Sequence, residues 1–134
     1  MRLNKYLAQN LFISRRKADE KIASGQVKVN NHIANVGTIV EEEDIVHVDG
    51  EIIKSRGRHE YYKFYKPKGY ICSHQKQGDA PIIFDLIGKS YLKFGGRLDK
   101  DSEGLMLLST DGDWLNGIFN AKNKISKKYL IKIK

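Results

Sequence analysis

Gly95-Gly96-Arg97-Leu98-Asp99-Lys100-Asp101-Ser102-Glu103-Gly104-Leu105-Met106-Leu107-Leu108-Ser109-Thr110-Asp111-Gly112 sets a charged loop between glycines, directly ahead of a short apolar run and a turn. Leu105 to Ser109 reads as a strand, and Thr110-Asp111-Gly112 as the turn that leaves it. A calcium loop would use Asp99, Asp101, Glu103 and Gly104 in its first six positions. Its twelfth position would then be Thr110 where a bidentate Glu is needed, and an apolar strand would fill its second half, so calcium is set aside. Two readings remain: a solvated loop entering a buried strand, or a carboxylate displayed for chemistry.

Moving outward, Trp114, Leu115, Ile118 and Phe119 recur at helical spacing, and Tyr129 to Lys134 alternates as a strand does. Upstream, Pro81 to Gly88 reads as a short helix with proline in the first turn and glycine past its end. Gln75 to Ala80 is a polar loop. Tyr61, Tyr62, Phe64 and Tyr65 make an aromatic strand, Lys66-Pro67-Lys68-Gly69 turns the chain, and Tyr70 to Ser73 leaves as a further strand. Aromatics interleaved with Lys63, Lys66 and Lys68 could stack bases. Period-two alternation describes a sheet core with lysines outside equally well.

The first residues have a different pattern. Leu3, Leu7 and Leu11 mark an amphipathic helix, and Ser14 is placed to cap a second, Arg15 to Ala23, which Gly25 would terminate. Short strands are expected at Val27-Lys28-Val29, around Ile33, Val36 and Ile39-Val40, and at Ile45 to Val48. Asn30-Asn31 and Asp49-Gly50 supply turns. Lys54 to Glu60 has no apolar periodicity and reads as a linker. The division expected is therefore 1–53, a linker at 54–60, and a second unit at 61–134, in an α+β fold with antiparallel sheets.

The chain of 134 residues carries a net charge of +8. Residues 1 to 40 hold seven Lys or Arg against Asp19 and Glu20, residues 41 to 59 are net acidic, and residues 60 to 134 hold fourteen bases against eight acids. Two basic lobes around an acidic segment favour a nucleic-acid partner over a membrane surface. Cys72 is the only cysteine, which excludes an internal disulfide, and no histidine spacing suggests a metal site. No apolar run nears the roughly 18 residues of a membrane span, and no signal peptide pattern opens the chain, so a cytoplasmic protein is expected.

Two helices, the second basic, followed by Gly25-Gln26-Val27-Lys28-Val29-Asn30 resemble the RNA-binding domain named after a small-subunit ribosomal protein, the S-four fold. Arg15, Arg16 and Lys17 at a helix start would add charge to free backbone N–H groups and cradle phosphate, although a merely solvated charged helix has the same composition. With Arg2, Lys5, Lys28, Lys66 and Lys68 they make up the expected RNA contacts. Gly96-Arg97-Leu98-Asp99, then Ser102, Gly104-Leu105 and Thr110-Asp111-Gly112, resemble the signature of ribosomal RNA pseudouridine synthases of the RsuA, RluB, RluE and RluF type. Lys66-Pro67-Lys68-Gly69 and Lys127-Lys128-Tyr129-Leu130 fall in that family's order on either side.

The resemblance implies isomerisation of uridine in ribosomal RNA or a ribosomal subunit precursor, with no cofactor and no obligate protein partner. Asp99 would be the catalytic carboxylate, either attacking the sugar or removing a proton to give a glycal. Arg97, two residues earlier, would share its side and keep it ionised, or fill the space left by a flipped base. Tyr129 matches the family's active-site tyrosine, a ring to stack on the uracil. The family's catalytic domain continues roughly as far again, so the chain is expected to be an inactive fragment that still binds RNA. A binding module without catalysis is the competing expectation. Gly69 to Ser73 and Asp111 to Trp114 lean towards the small-subunit branch.

Overall fold

The computed structural model describes residues 1–55 and 57–133; Arg56 of the expected linker and Lys134 of the expected last strand lie outside them. By its internal contacts the chain divides into two units, Met1–His59 and Glu60–Lys134.

In the first unit α1 (Leu3–Leu11) buries Leu3 and Leu7 completely, and α2 (Arg15–Ala23) adds Ala18 and Ile22. Ser14 caps α2, its hydroxyl accepting from the Lys17 N–H at 3.1 Å. Gly25 follows at φ +77°, the left-handed conformation that closes a helix most cheaply without a Cβ. β1 (Val27–Val29), β2 (His32–Ile33), β3 (Val46–Val48) and β4 (Glu51–Ile52) form an antiparallel sheet in the order β2-β1-β3-β4. Both tight turns have two positive φ angles, at Asn30-Asn31 and Asp49-Gly50, which matches the twist of the strands they join. The valines at 27, 46 and 48 face the leucines of α1 across one core.

The expected strands at Val36 and Ile39-Val40 are not formed. Asn35 to Thr38 closes a turn, with Thr38 Oγ1 accepting from the Asn35 N–H at 3.1 Å, and Ile39 makes one isolated bridge to Arg2. The threonine hydroxyl takes the backbone donor that a ladder would need.

In the second unit β5 (Tyr61–Lys66), β6 (Lys93–Gly95) and β7 (Gly104–Ser109) form an antiparallel sheet in the order β5-β7-β6. The β5–β7 ladder runs unbroken from Tyr61 opposite Ser109 to Lys66 opposite Gly104. Met106, Leu108, Phe64 and Phe94 pack with Ile83 and Phe84 of α3 (Ile83–Ile87), and with Cys72 and Leu92. On β6, Gly95 leaves no room for a side chain, because a Cβ there would overlap the ring of Phe119 at the end of α4 (Gly112–Phe119). Asp111 caps α4 by accepting from the Asp113 and Trp114 N–H groups. A single 3₁₀ turn (Ala121–Asn123) follows.

Two expected strands are corrected here. Tyr70 to Ser73 makes only one parallel bridge, Ile71 to Ile82, since the Ile71 N–H donates to Pro81 and its carbonyl accepts from Ile83. Tyr129 to Ile133 has no regular structure and no partner strand; Leu130 is fully exposed and Ile133 nearly so. Alternation identifies a segment able to pair, but a strand also needs an edge to pair with.

Candidate active site

Asp99 stands at the surface on a loop whose backbone is tied from beneath. Lys66, last in β5, has the parity of Phe64 and so points inward; it is completely buried. Its ammonium donates to the carbonyl oxygens of Pro67 (3.1 Å), Asp99 (2.9 Å), Lys100 (3.1 Å) and Ser102 (2.6 Å). A lysine has three N–H donors, so four carbonyls share them, and their dipoles replace the water lost on burial. Two more bonds close the loop: the Gly69 N–H donates to the Lys100 carbonyl at 2.7 Å, and the Ser102 N–H to the Asp99 carbonyl at 3.0 Å. Gly69 lies at φ +91°, a conformation few side-chain-bearing residues adopt. Behind the loop, Cys72 Sγ lies 3.3 Å from the Leu98 carbonyl, to which it donates.

This loop forms one side of an open pocket of about 610 Å³. Ile71, Cys72 and Leu98 give it an apolar part, while Arg97, Asp99, Lys100 and Gln77 bring a guanidinium, a carboxylate, an ammonium and an amide. Such a set can seat a flat, partly apolar group and place one carboxylate against it.

Arg97 and Asp99 therefore share the pocket, as their spacing suggests, but no ion pair joins them; both are exposed. Tyr129, 66% exposed in the irregular segment, is not brought to this pocket. Lys66 needs a larger correction: a buried ammonium bound by four carbonyls cannot meet RNA, and its place is under the loop. Its spacing of two from Phe64, which packs on the core, carried that signal. Gln77 and Lys100 line the pocket although neither stood out in the sequence; Lys100 is the direct neighbour of Asp99 in the signature run. Lys68 is exposed, 3.9 Å from Glu103.

In the first unit Arg15, Arg16 and Lys17 occupy the exposed first turn of α2. Arg15 donates to Asn4 Oδ1 at 3.2 Å, and the Asn4 amide donates to both oxygens of Asp19, so α1 orients the guanidinium. Lys17 pairs with Glu20 at 3.2 Å. Arg2 precedes α1 and is exposed, Lys5 is half-buried within α1, and Lys28 is exposed on β1.

At the far end of β5 from Lys66, Glu60 accepts from the Tyr62 hydroxyl at 2.7 Å and the Tyr91 hydroxyl at 3.0 Å, with Lys89 3.7 Å away. These bonds, that from Tyr62 first, hold the Glu60 carboxyl below its ordinary value. Tyr62 is pushed up by the same bond, and Lys89 is raised mainly by Tyr91.

Among the described residues no cluster of His, Cys, Asp and Glu is arranged to hold a metal, and no helix is long and apolar enough to cross a membrane.

The sequence profile described as RNA pseudouridylate synthase matches residues 60–134, more than half of the chain. The chain belongs to the RNA pseudouridylate synthase family. The S4 domain profile matches residues 1–46, so an S4 domain precedes the synthase part. The ribosomal small subunit pseudouridine synthase A of Pasteurella multocida is 38% identical over 98% of this chain and 58% of its own length. The dual-specificity RNA pseudouridine synthase RluF of Escherichia coli K12 is 38% identical over 99% of this chain and 47% of its own. The chain spans about half the length of the curated relatives it matches. A solved structure titled "Crystal structure of pseudouridylate synthase" aligns with 92% of this chain and 54% of its own, at 33% identity and a TM-score of 0.45. Within the pseudouridylate synthase part, the Asp99 loop and its Lys66 anchor both lie in the matched region.

Proposed function

We propose that the protein isomerises specific uridines in ribosomal RNA to pseudouridine, with Asp99 as the nucleophile after the target base has been flipped out. The observation that carries this reading is an exposed carboxylate on a loop fixed through its carbonyls, at the rim of a pocket with an apolar wall. In the reaction the C1′–N1 bond breaks, the uracil turns, C1′ bonds to C5, and the proton of C5 is lost while N1 gains one. Atoms balance without an oxidant or a cofactor. A carboxylate serves at C1′ by capturing the electron-poor sugar carbon, as in covalent glycoside chemistry.

Arg97 supports the flipped state by taking the space the base leaves, and Tyr129 reaches the uracil once RNA or further chain orders its segment. Residues 1–53 serve as the S-four-like grip, with Arg2, Lys5, Arg15, Arg16, Lys17 and Lys28 against phosphates. Residues 54–60 serve as a linker and 61–134 as part of the catalytic domain, with Lys68 adding a contact beside the pocket. The cytoplasm is the workplace that a ribosomal RNA or subunit-precursor substrate implies.

The test is tritium release from ribosomal RNA labelled at uridine C5. In the whole protein Asp99→Asn should abolish release while RNA affinity stays within about twofold, since one surface carboxylate adds little to phosphate binding. Release at an undiminished rate would remove Asp99 from the reaction. The 134-residue chain alone, with Tyr129 away from the pocket, is expected to release no label.

A further inference from the structure

Lys100 joins three properties that no other residue of the second unit combines on the pocket. Its backbone is fixed twice, by the Gly69 N–H at 2.7 Å and by the Lys66 ammonium at 3.1 Å, both onto its carbonyl. Its side chain lines the pocket next to Asp99. And its ammonium has no acidic partner among the described residues, whereas Lys68, Lys76 and Lys89 of the same unit pair with Glu103, Asp85 and Glu60. An unpaired, hydrated cation held at a pocket mouth is set for an anion that arrives with the substrate.

We infer that Lys100 is a further substrate-contacting residue, its ammonium meeting the phosphate that flanks the target nucleotide. This rests on the reading of the pocket as the place where a uridine reacts. A nucleotide whose sugar lies against Asp99 carries a phosphate on each side of that sugar, and the flexible lysine stem lets a point charge reach it while the loop stays still. The bland alternative is a solvated surface lysine. It accounts for the exposure of the side chain but gives no role to an unpaired cation lining the pocket beside the carboxylate.

Lys100→Gln and Lys100→Arg in the whole protein, assayed by tritium release at several salt concentrations, separate the two. Lys100→Gln should raise KM on the order of tenfold at low salt, the value of one charge-assisted contact, and reduce the slope of log affinity against log salt by about one. The loss should fall on KM rather than kcat, and Lys100→Arg should restore the slope. An unchanged slope and KM, or a loss confined to kcat, would overturn the inference, as would a lowered melting temperature with the slope intact. If Asp99→Asn abolishes release in the same assay, failure at Lys100 leaves the pocket's role standing. If Asp99→Asn releases label normally, the role of the pocket itself falls.

Discussion

Lys66 Nζ donates to the carbonyl oxygen of Asp99 at 2.9 Å, joining a strand end to a loop residue 33 positions later. The bond acts on the backbone of Asp99 and leaves its carboxylate free at the surface. A charge that elsewhere would be expected to bind a polyanion is spent inside the protein, where it converges the carbonyls of residues 67, 99, 100 and 102.

Replacing that ammonium should loosen the loop. Lys66→Met keeps the stem but removes the ammonium donor from the four carbonyls, of which only those of Asp99 and Lys100 keep a backbone N–H partner, a loss of about 3 kcal/mol in a buried setting. The second unit should melt earlier, and hydrogen exchange should rise at the Gly69 and Ser102 N–H groups. Unchanged protection there would mean the ammonium does not hold the loop.

Gly95 should tolerate no side chain. In Gly95→Ala the new methyl meets the Phe119 ring, so α4 has to shift from the sheet at a cost of about 1–3 kcal/mol, typical of overpacking. The fluorescence of Trp114, which lies edge-on to Tyr61 with ring centres 4.9 Å apart, should report the shift. Gly117→Ala, where a Cβ meets nothing within 4 Å, is the control.

Acid should weaken the second unit partly through Glu60. Its carboxyl is held below the ordinary 4.5, so folding favours the ionised form. Its contribution is complete above that ordinary value and disappears as the pH falls through the lowered one. Melting temperatures of the wild type and Glu60→Gln should differ most near neutral pH and converge in acid. A difference that stays constant with pH would show that the ionisation of Glu60 is not linked to folding.

The parts of the fold that were legible in the sequence are those decided locally. Ser14, Gly25 and the two asparagines at 30 and 31 act through their own backbone geometry, so the helices and first turns could be read directly. Tyr129 to Ile133 alternates correctly and Tyr70 to Ser73 follows a turn with strand-forming residues, yet pairing depends on an edge that local pattern does not report. β6 was missed because Lys93-Phe94-Gly95 offers a single apolar residue, too little for any period. The candidate site was half legible. Arg97 and Asp99 share a pocket as their spacing implies, whereas the role of Lys66 depended on counting parity along β5, and its positive charge suggested the opposite direction.

The β5–β7 ladder has a consequence for the timing of any reaction at this pocket. Lys66 and Gly104 are opposite each other in it, so the anchor of the Asp99 loop and the loop's own exit are rungs of the same ladder. For the loop to swing, the Lys66 bonds at the last rung of that ladder must break. The Asp99 loop is thus in place before a substrate arrives, and under the proposed reaction an RNA whose target base is already unstacked should react soonest, because the cost of extruding the base then falls away.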